Sequence, residues 1–243
     1  MTVEGEAHCG CPDDASTAPG ATSASRRRLL GGALAGAMAG VSGLTLPAVA
    51  QAQTVKSPED ALKTLLDGNR RFVARRLTFY RQDLALLQRN TAEKQQPFAS
   101  VLSCADSRVP VELVFDQSIG DVFVNRVAGN IATTEIIASI EYGAAVLGTK
   151  AIMVLGHGDC GAVQATIAGK PVPGQISSLY RFIRPAVNAA GDDLLAAIKA
   201  NAKIQAQLLR ESSPVLAGLL KAGKLTIVPA FFDLRTGKVT LLS

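Results

Sequence analysis

The chain has 243 residues, 48% of them hydrophobic, and contains no tryptophan. That composition excludes disordered, collagen-like and disulfide-scaffold classes and allows one sizeable α/β core preceded by a leader. The net charge of +5 is spread along the chain. No cluster of Lys/Arg interleaved with aromatics follows residue 50, so no nucleic-acid partner is expected.

Residues 1–24 are rich in Gly, Ala, Ser, Thr and Asp and carry no apolar period. Ser25-Arg26-Arg27-Arg28-Leu29-Leu30 follows, then an uncharged Gly/Ala-rich run to Val49. Ala48-Val49-Ala50 and Ala50-Gln51-Ala52 both fit small-residue cleavage sites. A basic segment, a mildly apolar stretch and such a site predict a signal peptide over 1–52, with one α/β domain over 53–243. The arginine pair beside a weakly apolar core resembles a twin-arginine leader, which implies export to the periplasm or another extracytoplasmic space. Membrane attachment is expected only through an uncleaved leader, because its glycines and alanines make a poor spanning helix. Cleavage would remove His8, Cys9 and Cys11, leaving Cys104, Cys160 and His157. Two cysteines in an oxidising compartment read first as a disulfide. Export of folded, metal-loaded protein, which the leader's resemblance implies, weakens that reading.

Ser57-Pro58-Glu59-Asp60 starts a helix, with Ser as cap, Pro at the first position and acids in the first turn. Leu62, Leu65, Leu66, Phe72 and Val73 continue it at helical spacing. A second helical stretch is predicted over Tyr80–Thr91. Short apolar runs at Phe98–Ser103, Val122–Val127, Ala151–Leu155 and Leu225–Ala230 read as buried strands. Helical patterns fall near 111–117, 133–147, 162–168, 176–189, 193–210 and 214–221. Thr236-Gly237-Lys238 turns into a last strand, Val239–Leu242, expected to be antiparallel at an edge. The expectation is an α/β fold: a mostly parallel four-stranded sheet with an antiparallel edge strand, flanked by helices. Ligands in such sheets sit beyond the carboxyl ends of the strands. Cys104 follows the first strand there, and His157 and Cys160 follow the third.

Two segments carry chemistry: Cys104-Ala105-Asp106-Ser107-Arg108 and Gly156-His157-Gly158-Asp159-Cys160-Gly161. Thiolate and imidazole suit zinc, and catalytic zinc commonly takes three protein ligands with a fourth position open. Cys104, His157 and Cys160 are therefore expected to bind one catalytic zinc. The second segment also fits G-x-G-x-x-G, a dinucleotide cradle. Such a cradle needs an acid about 20 residues later at a strand end, where this chain is helical and basic. Asp106 and Arg108 could form a surface ion pair of little value. Beside a zinc ligand, Asp106 could instead fill the fourth position or orient a zinc-bound hydroxide, with Arg108 fixing its direction. Asp121, Asp116 and Glu112 read as solvated or helix-end charges.

At these residues the sequence resembles the β-class carbonic anhydrases, whose C-x-D-S-R and H-x-x-C-G motifs stand here as Cys104–Arg108 and His157–Gly161. The resemblance extends from Gly68-Asn69-Arg70-Arg71-Phe72 through Arg126-Val127-Ala128-Gly129-Asn130 and Glu141-Tyr142 to the last strand. It implies zinc held by Cys104, His157 and Cys160, with Asp106 a fourth ligand only in a closed state. Asp106 and Arg108 would be the catalytic dyad. Gln95, Phe123, Tyr142 and Gly161 match positions around the carbon dioxide pocket, part of which comes from a second subunit, so a homodimer or higher homo-oligomer is implied. A neighbouring pocket valine of some members is Ala128 here. A tryptophan of the regulatory bicarbonate pocket in some members is Val101 here, which argues against that control, although Arg126 matches another of its residues. The implied reaction is reversible hydration of carbon dioxide to bicarbonate and a proton by zinc-hydroxide attack. With no second histidine in 53–243 to shuttle the proton, turnover should depend on external buffer. Two alternatives remain: hydrolysis of carbon disulfide or carbonyl sulfide on the same fold, or a non-catalytic zinc or thiol protein that senses redox state.

Overall fold

The computed structural model describes residues 57–78, 92 and 94–243. The expected leader over 1–52 and the expected helix over 80–91 lie outside the described residues. Helix α1 spans Pro58–Val73, and the Ser57 side chain caps it by accepting the Asp60 N–H at 3.1 Å. Glu59 and Asp60 sit in its first turn and Arg70 and Arg71 in its last, matching the helix dipole at both ends. The remaining elements are β1 (Ala99–Ser103), a short helix α2 (Val111–Val114), β2 (Val122–Arg126) and α3 (Thr134–Glu141), which runs into a π turn over Tyr142–Val146. Then come β3 (Ala151–His157), α4 (Gly161–Ala168), a 3-10 turn (Ile176–Leu179), α5 (Tyr180–Ala190), α6 (Leu194–Ser212), α7 (Pro214–Lys221), β4 (Thr226–Phe232) and β5 (Val239–Leu241).

The sheet order is β2-β1-β3-β4-β5, all parallel except the β4–β5 pair. This is the expected architecture of four parallel strands with an antiparallel edge. Every residue of β1 and β3 is buried, as befits strands covered on both faces. One face packs Leu65, Val101, Val114, Phe115 and Met153 beneath α1 and α2. The other packs Leu102, Ile140, Ile152, Val154 and Leu209 beneath α3, α6 and α7. Among the described residues no helix is long and apolar enough to cross a membrane.

Two contacts fix α1 to the sheet. Gly68 lies so close to the chain after α2 that an added Cβ would stand 1.7 Å from the Phe115 carbonyl oxygen. Buried Asn69 donates to the carbonyls of Val114 and Gly237 and accepts the Val239 N–H, joining α1 to β5.

The structure corrects three readings. Strand β3 continues through His157, which pairs with Phe232, rather than ending before it. Gly156 carries the strand past α6, where a Cβ would press on Ile198 and Ala202 at 3.3–3.4 Å. The helix expected over 133–147 changes to a π turn at Tyr142. Asp116 does stand at a helix end, just past α2, but it is not solvated: it is buried, accepts from Arg71 Nε at 2.6 Å and from the Thr78 hydroxyl at 2.8 Å, and has φ +48°. A turn with no apolar signature brings it under α1, which sequence spacing does not reveal.

Candidate metal centre

The parallel register places both chemistry-bearing segments at one rim. Ser103 pairs with Leu155, so Cys104 leaves β1 at the level where β3 delivers His157. Cys160 then caps α4 from an extended conformation, after Asp159 has turned the loop with φ +52°. The potential ligand atoms of Cys104, His157 and Cys160 lie within 4.8 Å of one another, and all three residues are buried. Ile131, Val163, Ile183 and Ile198 pack in the same buried cluster as Cys104 and Cys160. Both cysteines are free thiols, so the disulfide reading does not describe the structure.

The donor chemistry fits zinc. His157 Nδ1 lies 2.8 Å from the Gly158 carbonyl, which fixes the proton on Nδ1 and leaves Nε2 as the lone-pair nitrogen. Nε2 is buried and has no hydrogen-bond partner among the described residues. A buried imidazole nitrogen aimed at two thiols is what a metal ligand set provides and a packed core avoids. A hydrogen bond with Cys160, reinforced by the Gly129 N–H, outweighs burial and holds the Cys104 thiol below its ordinary range. Cys160 is pushed up by its hydrogen bond to Cys104 and by burial. Burial acts to lower the His157 pKa, but its contact with Cys104 prevails and raises it.

Asp106 and Arg108 form a bidentate pair. Arg108 donates through Nε to Asp106 Oδ1 at 2.9 Å and through Nη2 to Oδ2 at 2.7 Å, and its backbone N–H also reaches Oδ1 at 2.9 Å. Oδ2 is the oxygen turned toward the cluster, 3.9 Å from His157 Nε2. The Arg108 guanidinium keeps the carboxyl well below the usual carboxylate range, against a smaller opposing effect of burial. The same guanidinium donates to the Asp159 carbonyl at 3.2 Å, tying the two ligand loops together.

Arg126, at the end of β2, donates to the carbonyls of Cys104 at 3.1 Å and Asp106 at 2.7 Å, and so grips the backbone on both sides of Ala105. Val101 is buried in the core inside β1. Gly161 opens α4 directly after Cys160, and a Cβ there would meet nothing within 4 Å. The other pocket positions lie elsewhere within one chain. Phe123 pairs with Ser100, four residues before Cys104, about 13 Å back along the strand. It stacks against Tyr142 with ring centroids 6.2 Å apart. Gln95 is exposed in the segment before β1. The structure therefore gathers Cys104, Asp106, Arg108, His157, Cys160 and Gly161, and sets Phe123 and Tyr142 apart on the β2 side. Sequence reasoning missed Asn201 and Gln205, which bond to the loop behind Cys104; their one signal is a polar pair four apart on the buried side of an otherwise apolar helix face.

A buried Cys-His-Cys set at the carboxyl rim of a parallel sheet, with a clamped carboxylate at the fourth side, defines an α/β zinc-enzyme site. A carbonic anhydrase family model matches residues 99–239. The chain is 36% identical to the carbonic anhydrase of Mycolicibacterium smegmatis, over 77% of this chain and 94% of that one. It is 34% identical to carbonic anhydrase 2 of Mycobacterium tuberculosis, over 76% and 93%. The fold matches the Coccomyxa β-carbonic anhydrase in complex with acetazolamide with a TM-score of 0.60 at 25% identity, covering 74% of this chain and 86% of that one. It also matches the tetrameric β-carbonic anhydrases of Sordaria macrospora, with a TM-score of 0.61 at 23% identity, covering 66% and 87%. This chain belongs to the β-class carbonic anhydrase family.

Proposed function

We propose that the protein catalyses the reversible, zinc-dependent hydration of carbon dioxide to bicarbonate and a proton. The observation that carries this reading is the Cys104–His157–Cys160 cluster, with Asp106 Oδ2 held beside it by Arg108. Zinc, when bound, supplies a Lewis acid that brings the pKa of a water to about 7. Asp106 is an ionised, acceptor-only group aligned by both oxygens. It takes the hydrogen bond of the substrate water and leaves that water's lone pair directed at the carbon atom. His157 keeps Nε2 available because Gly158 holds its other nitrogen. Ile131, Val163 and Ile183 give the cluster an apolar wall, which lowers the local dielectric around the ligands. The product proton passes to solvent buffer, since residues 53–243 hold no histidine besides His157. Stopped-flow hydration of carbon dioxide, with and without a zinc chelator, tests the assignment; a protein that is zinc-loaded and inert would refute it.

The same reading extends to assembly and location. Exposed Tyr142 packs against Phe123 of the edge strand β2, and Val146 of the same π turn is also exposed, which gives apolar surface suited to pairing with a second copy. The relatives from Sordaria macrospora are tetrameric. A homodimer that brings one subunit's Phe123 and Tyr142 to the other's metal cluster would complete the carbon dioxide pocket. Sedimentation across a dilution series tests it, with monomers of full activity as the refuting result. Residues 1–52 would be a twin-arginine leader that sends the domain over 53–243 to the periplasm, supported by the Arg26-Arg27 pair and the two small-residue sites. Mass spectrometry of the exported protein tests this; a mature chain retaining Leu30 would refute cleavage.

A further inference from the structure

Behind Cys104 lies a buried amide network that the reaction does not call on directly. The Gly129 N–H donates to Cys104 Sγ at 3.2 Å. Gly129 has φ +80° and Asn130 has φ +43°, so two successive left-handed residues shape this loop. An L side chain rarely holds such a conformation unless neighbours impose it. A Cβ on Gly129 would stand 2.7 Å from Ile183 Cδ1. The neighbours that impose the shape come from α6. Asn201 Nδ2 donates to the Gly129 carbonyl at 2.8 Å. Gln205 Oε1 accepts the Ala132 N–H at 2.9 Å, and Gln205 Nε2 donates to the Phe182 carbonyl at 3.0 Å and to Asn201 Oδ1 at 3.2 Å. Both amides are essentially fully buried, and Ala197 and Ile198 of the same helix pack into the cluster that contains Cys104 and Cys160.

We infer that Asn201 and Gln205 are positioning residues that hold the Gly129 peptide against the Cys104 sulfur and so set its strength as a zinc ligand. A peptide N–H aimed at a thiolate drains charge from the sulfur, and such outer contacts orient a ligand and tune the metal it holds. The rest of this helix face is apolar, with Ala197, Ile198, Ala202, Ala206 and Leu209 buried beside the two amides. A polar pair there makes physical sense because three backbone groups of the 129–132 and 182 segments need fixed partners. The inference rests on the zinc assignment above.

The test compares zinc-loaded Asn201→Leu and Gln205→Met with Leu209→Ala, a buried change on α6 in the core cluster away from the metal. Zinc transfer to a competing chelator should quicken about tenfold or more in Asn201→Leu and Gln205→Met. The sulfur-to-metal charge-transfer band of the cobalt-substituted proteins should shift as well. Leu209→Ala should lose thermal stability while both readouts stay at the parent values. Should Asn201→Leu not fold, Gln205→Met carries the same comparison. Transfer rates and bands that track thermal stability alike in all three variants would overturn the inference. A parent chain that binds no zinc would instead overturn the functional assignment, so the two failures are distinguishable.

Discussion

Arg108→Lys should separate catalysis from stability. The substitution keeps the positive charge and the backbone N–H bond to Asp106 Oδ1. It removes the planar fork that holds both carboxylate oxygens, and a lysine ammonium cannot reproduce two parallel contacts. The oxygen left without its arginine partner is Oδ2, the one facing the metal cluster. With Oδ1 still anchored, Oδ2 can swing by about 1 Å, a displacement that typically costs about 100-fold in rate. Stability should scarcely change, because Arg108 is half exposed and exposed ion pairs contribute little. Stopped-flow hydration should therefore show kcat/KM down about 100-fold, with the melting curve nearly superimposed on the parent's. An Arg108→Lys enzyme as fast as the parent would refute the view that the fork aims Asp106. Loss of activity matched by loss of fold would refute the separation.

Gly68→Ala drives a Cβ into the Phe115 carbonyl, where backbone must move, so it should cost about 3 kcal/mol. In a domain of this size that is a melting temperature about 6–12 °C lower, checked by thermal unfolding. Burial raises the Asp121 carboxyl pKa against the lowering effect of the Ser118 N–H. A raised carboxyl pKa favours the fold below the unfolded value of about 3.9 and loses that contribution as pH rises through the folded value. Asp121→Asn, which keeps an acceptor for Ser118, should thus melt higher than the parent at neutral pH and converge with it near pH 4, a convergence that melts across a pH series would show. With no second histidine in 53–243, turnover at fixed pH should rise with imidazole concentration until proton release no longer limits it; a flat response would place a proton relay within the protein.

The sheet was legible because its signals are local. The short, largely apolar runs of β1 and β3, separated by helical periods, point to a mostly parallel sheet, and the Ser57-Pro58 start gives α1. The ligand set was legible because 53–243 contains so few thiols and imidazoles. What spacing cannot carry is contact across the chain. Asp116 meets Arg71, 45 residues away, through a left-handed turn without a pattern of its own. Asn201 meets Gly129 across 72 residues, and on a helical wheel it is just one polar interruption. The extension of β3 through His157 depended on Gly156 fitting against α6, a matter of close packing rather than of hydrophobic period.

The pairing of Ser103 with Leu155 also bears on how the protein acquires its metal. Backbone bonds between β1 and β3 set the level at which Cys104 and His157 emerge, and none of those bonds uses a ligand side chain. In small zinc modules the ion assembles the chain around itself. Here the sheet can close first and present the donors already facing one another. Metal capture then follows folding, and stripping the ion should silence the enzyme without melting its core.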